Sequence, residues 1–278
     1  MPTIIYNGNL LSSDLPCIKP NDRGFTLGHG LFETILSNKS AIPGLDYHWH
    51  RLETSTQLID IPLPFCKKKL QQMITTLLDD NNLRDKIAAI RLSLTHGESS
   101  RGIYPLSNPL PNYVIAANEY FPLHQQNFSC RIVTIRKNEH SPCCRIKSLS
   151  YLDNILAKKE AVEHGYDEAI LLNTAGNIAD GGITNIFMVK DKKIYTPLLA
   201  DGALPGVVRS ILLQEFTHGF PLIEKTIKID DLLSADEVFL TNGLMGVQIV
   251  SKINDVIFYE NGVSRTMQKN LIEIKNFV

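Results

Sequence analysis

Cysteine is scarce in this sequence: there are five in 278 residues, and no two have the Cys-x-x-Cys spacing of a redox or zinc motif. An odd number without that spacing indicates neither a disulfide framework nor a zinc site, so we expect reduced thiols. No apolar run approaches the ~20 residues that cross a bilayer, and the first ten residues lack the pattern of a signal peptide. These absences predict a cytoplasmic protein.

An excess of charge is also lacking, because 28 basic residues face 29 acidic ones and the net charge is −1. Such a balance argues against binding to nucleic acid or to an anionic membrane, so we expect a small-molecule partner. With 14 prolines, 17 glycines and 44% hydrophobic residues, the composition is that of a globular chain. The length suggests two domains or one large one.

Strands open the first half of the sequence, and two helices follow them. Apolar or β-branched runs bounded by turn residues predict strands at 3–6, 31–36, 87–94 and 113–117. Apolar residues at helical spacing predict helices at 45–60 and 65–81. The helical spacing of apolar residues then disappears in a stretch that contains a proline, which is typical of a connection between domains. We therefore expect a smaller α+β domain over residues 1–120 and a linker over 121–127.

The second half mixes strands and helices without strict alternation. We predict strands at 130–135, 193–195, 237–240 and 247–253, and helices at 153–164, 207–217 and 264–276. Segments 169–172 and 183–189 flank a turn-rich cluster and are expected to form a hairpin. Residues 128–278 are thus predicted to form a larger domain with mixed or antiparallel sheets, which gives an α+β or mixed α/β fold.

Two basic residues are candidates for chemistry. Lys147 ends a short apolar segment, and a partly buried lysine there can form a Schiff base and move protons. Arg51 lies one turn into a predicted helix, where its planar fork suits a phosphate. Taken alone, each residue is also typical of a solvated surface group or a helix ion pair. His48 and His50 are two residues apart, so they cannot share a metal as an i, i+4 pair does.

Other candidates are loops and turns. The segment LPGVVR at 204–209 places backbone amides at a helix start, which is an anion site, and TNGLMG at 241–246 offers more amides. Asp180 stands before two glycines, where a carboxylate can pair with a pyridinium nitrogen or simply form a turn. Arg101 lies on a loop after a strand, a usual place for a substrate-binding cation. The pattern at 28–33 lacks the third glycine of a dinucleotide fingerprint.

The order of these blocks along the chain resembles the class IV aminotransferase family of pyridoxal-phosphate enzymes. The matching blocks are DRGFTLGHGLFET at 22–34, HWHRL at 48–52, Lys147, YDEAILLN and DGGITNIF at 166–187, and LPGVVR at 204–209. The resemblance implies the two-domain fold type IV, with pyridoxal 5'-phosphate in the cleft between the domains of a homodimer. It departs from the family at Asp180 (usually Glu), His29 (usually Asp) and Val208 (often Thr).

The resemblance also assigns roles to residues. Lys147 would hold the cofactor covalently and act as the catalytic base, Arg51 would bind the phosphate, and Asp180 would face the pyridine nitrogen. The remaining implied cofactor contacts are Tyr151, Val207, Val208, Gly243 and Leu244. Arg101 would bind a substrate carboxylate.

Within the family, local blocks resemble the aminodeoxychorismate lyases, which release p-aminobenzoate and pyruvate for folate synthesis. Lys147 and Tyr151 are four residues apart as in the lyases, and NGLMGV at 242–247 and RGIY at 101–104 are similar to lyase blocks. A transaminase of the D-amino-acid or branched-chain type shares the same cofactor residues and stays the alternative. A non-catalytic protein that keeps the fold is the alternative from another class.

Overall fold

The computed structural model describes residues 2–15, 17–100, 102–104, 107–122, 127–216, 219–259 and 262–277. The chain divides into two compact units. The first consists of Met1–Phe121 with Ile146–Ser150, and the second of Pro122–Arg145 with Tyr151–Val278. A short segment from the second half of the sequence therefore completes the first unit.

The first unit is built on a five-stranded antiparallel sheet with the strand order β2-β1-β5-β4-β3. Its strands are β1 (Thr3–Tyr6), β2 (Asn9–Ser12), β3 (Gly30–Asn38), β4 (Ile87–Thr95) and β5 (Asn112–Glu119). Its helices are α1 (Arg23–Leu27), α2 (Leu45–Leu58) and α3 (Lys67–Asp80). The strands and the two long helices predicted for this half are confirmed, with shifts of a few residues at their ends.

Helix α3 shows why the first unit folds as it does. Its apolar residues recur at helical spacing, so they share one face, and all five are buried: Leu70, Met73, Ile74, Leu77 and Leu78. They belong to the same core cluster as the inward residues of β3, β4 and β5. Burying each such side chain contributes about 1.5–3 kcal/mol, which offsets the entropy lost when the helix orders.

Residues 146–150 lie along β3. Phe32 donates its backbone N–H to the carbonyl of Lys147 at 2.9 Å, and Leu149 donates to the carbonyl of Gly30 at 3.0 Å. A Cβ at position 30 would lie 2.5 Å from the Leu94 carbonyl oxygen and 2.6 Å from the Leu149 side chain. Glycine is therefore required where this segment, β3 and β4 come together.

The second unit contains a mixed nine-stranded sheet with the order β11-β10-β9-β12-β13-β6-β7-β8, and β14 pairs with β13. Its strands are β6 (Phe128–Lys137), β7 (Glu168–Asn173), β8 (Ile178–Gly181), β9 (Asn185–Lys190), β10 (Lys193–Thr196), β11 (Leu222–Glu224), β12 (Glu237–Asn242), β13 (Gly246–Ile253) and β14 (Val256–Ile257). The helices are α4 (Leu152–Glu163), α5 (Val207–Glu215), α6 (Ile229–Leu233) and α7 (Val263–Lys275). Pairs β6/β7, β6/β13 and β10/β11 are parallel.

The predicted hairpin is wrong in its partner. The strand antiparallel to β7 is the short β8, and β9 instead lies between β10 and β12. Periodicity did not reveal β8, because all four of its residues are buried and show no alternation. All five cysteines are unpaired thiols. Within the described ranges, no helix has the length and apolar character needed to cross a bilayer.

Candidate functional site

A buried charged cluster in the first unit is centred on Glu33, which is 1% exposed. Arg51 donates from Nε to Oε1 at 2.8 Å and from Nη2 to Oε2 at 2.6 Å, so the pair is bidentate. His48 donates from Nδ1 to Oε2 at 2.7 Å. His48 and Arg51 are three residues apart on α2 and therefore share the helix face that meets β3.

Electrostatics fix the charge state of this cluster. Burial by itself raises the pKa of Glu33, but the Arg51 charge and the hydrogen bonds from His48 and Arg51 outweigh it and lower that pKa to about 2. Burial lowers the pKa of His48, although Glu33 acts in the opposite sense. Glu33 is therefore ionised and His48 neutral at pH 7, so the carboxylate holds the Arg51 guanidinium in one orientation.

Lys147 lies beside the same cluster. Its Nζ is 4.4 Å from the centre of the Phe32 ring, and its charge is one of the influences that lower the pKa of His48. The side chain is half-buried. The first unit thus brings Lys147 and Arg51 together with Glu33, which sequence reasoning missed. A single acid inside the apolar run LFETIL at 31–36 was the available signal.

In the second unit, Asp180 is 3% exposed and its carboxylate has partners on both oxygens. Oδ1 accepts from Asn185 Nδ2 at 3.0 Å, while Oδ2 accepts from Lys137 Nζ at 3.1 Å and from the Leu204 backbone N–H at 2.9 Å. The Lys137 ammonium and these two N–H donors hold both carboxylate oxygens in place. Lys137 and Asn185 are further residues that the sequence analysis did not single out.

The start of α5 has the geometry of an anion site. Gly206 is its N-cap residue with extended backbone, and no described side chain caps the first turn, so the amides of Val207 and Val208 are not bonded by a cap. Both valine side chains are buried, which leaves only backbone groups to serve a ligand. Arg209 points elsewhere, since its Nη2 binds the Pro197 carbonyl at 2.9 Å.

Asn185 connects the acid to this helix start. Its Nδ2 donates to the Leu204 carbonyl at 2.8 Å as well as to Asp180. A Cβ on Gly206 would lie 1.8 Å from Asn185 Oδ1, so only glycine fits at the N-cap. The position of the first turn of α5 and that of the Asp180 carboxylate are therefore set by the same amide side chain.

Replacing Gly206 with alanine is expected to lower the free energy of unfolding by about 1–3 kcal/mol, because the added methyl group overlaps Asn185. Urea unfolding of the variant checks this value. In the double variant Gly206→Ala with Asn185→Ala, the amide that the new methyl group would overlap is absent. Its loss of unfolding free energy should therefore be smaller than the sum of the losses in the two single variants. Additivity of the two single losses would contradict the steric explanation.

The remaining predicted site residues lie in a turn, at a helix start or outside the described residues. Asn242 Oδ1 accepts from the N–H groups of Leu244 at 2.9 Å and Met245 at 2.8 Å, so the Leu244 amide has a partner within its own turn, next to Gly243. Tyr151 is half-buried at the N-cap of α4. Arg101 lies outside the described residues. Among the residues that are described, no group of three potential metal ligands occurs.

Comparison with known proteins identifies what the chain is similar to. The family model for class IV amino-transferases matches residues 30–253. Aminodeoxychorismate lyase of Bacillus subtilis (strain 168) is 30% identical over 283 residues, 99% of this chain and 96% of that protein. D-alanine aminotransferase of Bacillus licheniformis is 31% identical over 257 residues, 90% of this chain and 88% of that protein.

A solved structure agrees with these matches. The 4-amino-4-deoxychorismate lyase of Pseudomonas aeruginosa has a TM-score of 0.86 and 27% identity, with 99% of this chain and 100% of that chain covered. The fold type IV architecture predicted from the resemblance is confirmed by this likeness and by the mixed helices and sheets of the two units.

Proposed function

Because the chain belongs to the class IV aminotransferase family, we propose that it is a lyase that converts 4-amino-4-deoxychorismate to p-aminobenzoate and pyruvate. The family makes it a pyridoxal-phosphate-dependent lyase or aminotransferase. The observation that carries the choice of lyase is the match to the B. subtilis aminodeoxychorismate lyase over nearly the full length of both chains. The cytoplasmic location and the role in folate synthesis expected from the sequence are part of this proposal.

The described residues fit pyridoxal phosphate. Lys147 offers an amine for the aldehyde, and Arg51, fixed by Glu33, offers a guanidinium for the phosphate. The start of α5 offers backbone amides suited to a phosphate. Asp180 offers a carboxylate for the ring nitrogen. When bound, the cofactor would supply an electron sink for the carbon next to the substrate nitrogen.

Asp180 is one methylene shorter than the glutamate usual in the family, and its surroundings account for this. Lys137, Asn185 and the Leu204 amide hold the shorter carboxylate from three directions. The Leu204 amide ties it to the turn that begins α5, and Asn185 also donates to the Leu204 carbonyl. Asp180 would therefore hold a proton on the ring nitrogen from a fixed position, while it also forms an ion pair with the Lys137 ammonium.

In the elimination, the proton transfers are assigned to the amine of Lys147. Lys147 Nζ would take the proton from the ring carbon that bears the substrate nitrogen. The carbon–oxygen bond of the neighbouring enolpyruvyl ether then breaks, and that oxygen leaves with a proton returned by Lys147, so the three-carbon fragment ends as pyruvate. The six-membered ring becomes aromatic, which drives the step forward. We assign Arg101 to a substrate carboxylate.

The test is product release from aminodeoxychorismate made in place from chorismate and glutamine by a separate synthase. We expect p-aminobenzoate and pyruvate in equal amounts, with no requirement for an amino acceptor. A cofactor-loaded protein that releases neither product would overturn the lyase proposal.

The second candidate function is transamination, favoured by the 31% identity to the B. licheniformis D-alanine aminotransferase. It would use the same cofactor residues but return the proton to the cofactor carbon. D-alanine or a branched-chain amino acid would then convert the bound cofactor to its amine form and release a 2-oxo acid. The absorbance change of the loaded protein with each amino acid separates the two functions.

We also propose a homodimer, as the family resemblance implies. Exposed apolar side chains on α4 support it: Leu152 is 64% exposed, Ile155 58% and Leu156 42%. Ile155 and Leu156 follow Leu152 by three and four positions, so both lie on the same side of the helix as Leu152. Sedimentation equilibrium should give twice the 31.2 kDa chain mass, and a single 31.2 kDa species would contradict the proposal.

A further inference from the structure

The turn that joins β8 to β9 connects two residues of the candidate site. Asp180 lies in β8, Asn185 begins β9, and residues 182–184, here called the β8–β9 turn, lie between the two strands. The Asn185 side chain donates back across this turn to Asp180 Oδ1 at 3.0 Å. The conformation of the β8–β9 turn therefore sets where the acid lies relative to the amide that binds it.

The strand pairing of β8 is short. This strand has four residues, stands at the end of the strand order and pairs with β7. The register of that pair shifts between Leu171 and Leu172, and such an irregularity interrupts the ladder of backbone hydrogen bonds. Contacts from outside the ladder must therefore help to fix the backbone that follows Asp180.

Helix α4 provides one of these contacts. Asn154, in the first turn of α4, donates from Nδ2 to the Gly182 carbonyl at 2.7 Å. The Gly182 N–H donates to the Ala169 carbonyl at 3.1 Å. Both polar backbone groups of Gly182 are thus bonded, and the carbonyl is bonded to a side chain from another element.

A buried acid on β7 provides the second contact. Glu168 is 0% exposed, its Oε1 accepts from the Ala169 N–H at 2.8 Å, and Lys158 Nζ lies 3.6 Å from the same oxygen. Burial raises the pKa of Glu168, while the Lys158 charge and hydrogen bonds from the backbone N–H groups of Ala169 and Ile183 act in the opposite direction. A Cβ at position 182 would lie 2.8 Å from Glu168 Oε1, so the β8–β9 turn packs directly against this carboxyl group.

We propose that Asn154 and Glu168 are positioning residues for the Asp180 carboxylate. Asn154 fixes the Gly182 carbonyl, Glu168 fixes the N–H of Ile183, and together they hold the turn that follows Asp180. Both side chains act through the backbone of the turn. The inference rests on the proposed function, in which Asp180 faces the ring nitrogen of pyridoxal phosphate.

The proposal predicts an effect that is specific to the ring nitrogen. The strength of a hydrogen bond between Asp180 and that nitrogen depends on its length and angle, so a small shift of the turn weakens it. The groups assigned to the aldehyde and the phosphate do not bear on the ring nitrogen. Loss of the Asn154 contact should therefore weaken the binding of a cofactor that has this nitrogen more than that of a cofactor without it.

The test compares pyridoxal phosphate with its analogue in which a C–H group replaces the ring nitrogen. Equilibrium dialysis against the full-length protein gives both dissociation constants, and their ratio measures the preference for the ring nitrogen. Asp180→Ala should lower this preference about tenfold or more, as expected for one hydrogen bond to a charged group. Asn154→Ala should lower it about threefold to tenfold, and should add no further loss in the Asp180→Ala background.

Two variants of α4 separate positioning from stability. Asn154→Asp keeps the shape of the side chain and suits the first turn of a helix, but it has no N–H for the Gly182 carbonyl. Its preference should fall as in Asn154→Ala. Ala161→Gly weakens the same helix at a buried position away from the turn, and its preference should equal that of the wild type.

A matched pair of variants tests the buried acid. Glu168→Gln keeps an oxygen that can accept from the backbone N–H groups, so its preference should stay within about twofold of the wild type. Glu168→Met has a similar length but no such oxygen, and its preference should fall about threefold or more. Equal preferences in these two variants would exclude the part assigned to Glu168.

A wild-type preference in both Asn154→Ala and Asn154→Asp would overturn the proposal, and so would an equal loss in Ala161→Gly. If Asp180→Ala loses the preference and the Asn154 variants keep it, the positioning role fails but the assignment of Asp180 stands. If Asp180→Ala also keeps it, that assignment fails as well. Because the readout is binding, each result holds whether the enzyme is a lyase or a transaminase.

Discussion

Replacing Lys147 with alanine is expected to lower p-aminobenzoate release by about four orders of magnitude or more. One amine is assigned two tasks, covalent attachment of the cofactor and transfer of the substrate proton, and alanine removes both. Stability should change little, because the side chain is half-buried and the segment is fixed to β3 by its backbone. Stopped assays with product quantified by chromatography measure the loss.

Lys159→Ala is the matched control for this variant. Lys159 is a 65% exposed lysine on α4 whose partner is Glu163 one turn away, so its removal should leave turnover within about twofold. Borohydride treatment of the loaded wild type should fix the cofactor mass on the peptide that contains Lys147, and on no other peptide. Turnover by Lys147→Ala near the control value would overturn its assignment as the catalytic base.

Replacing Glu33 with glutamine is expected to destabilise the protein by about 3–5 kcal/mol, because it leaves the 8% exposed Arg51 guanidinium buried without its counter-charge. The amide has nearly the same shape as the carboxylate, so the loss reports charge and hydrogen bonding rather than volume. The variant should also bind pyridoxal phosphate more weakly, because the bidentate carboxylate that orients the Arg51 guanidinium is gone. Urea unfolding and cofactor titration measure the two effects.

The matched control is Glu119→Gln. Glu119 pairs with Lys86, but the side chains are 36% and 48% exposed, so this loss should be below about 1 kcal/mol. Equal destabilisation by the two substitutions would contradict the special role of the buried pair.

Acid should weaken the same ion pair in the wild type. The pKa of Glu33 is lowered from 4.5 to about 2 in the folded protein, so its contribution is present above pH 4.5 and is lost as the pH falls toward 2. The difference between the two pKa values corresponds to about 3 kcal/mol. The stability gap between the wild type and Glu33→Gln should therefore narrow from pH 6 to pH 3, and a constant gap would contradict this account.

The sequence predicted those features that local patterns determine. Helix α3 was evident from the spacing of Leu70, Met73, Ile74, Leu77 and Leu78. The positions of Lys147 and Arg51 followed from a resemblance of short blocks. The hydrogen-bond partners of the site residues could not be predicted in the same way, because each partner lies far away in the sequence. Arg51 is 18 residues from Glu33, and Lys137 is 43 residues from Asp180.

The errors have a similar origin. Strand β8 was not predicted, and the segment at 183–189 was predicted to pair with β7 instead, because four buried residues give no alternation to read. The assignment of the turn at 241–246 to an anion stays a prediction, and the structure adds that the Asn242 side chain accepts from two of its amides, including that of Leu244. When a side chain accepts hydrogen bonds from its own turn, fewer backbone N–H groups are available to a ligand. The spacing of glycines in the sequence does not show whether this happens.

The return of residues 146–150 to the first unit bears on the order of events during synthesis. The ribosome makes the chain from the N-terminus, and domains generally fold as they emerge. Here the first unit lacks the segment along β3 until residue 150 has left the exit tunnel, after the opening strand of the second unit has been made. Nascent chains stalled just past residue 121 should thus expose the flank of β3, where a chaperone would bind, and cutting the gene at that point would separate Lys147 from Arg51.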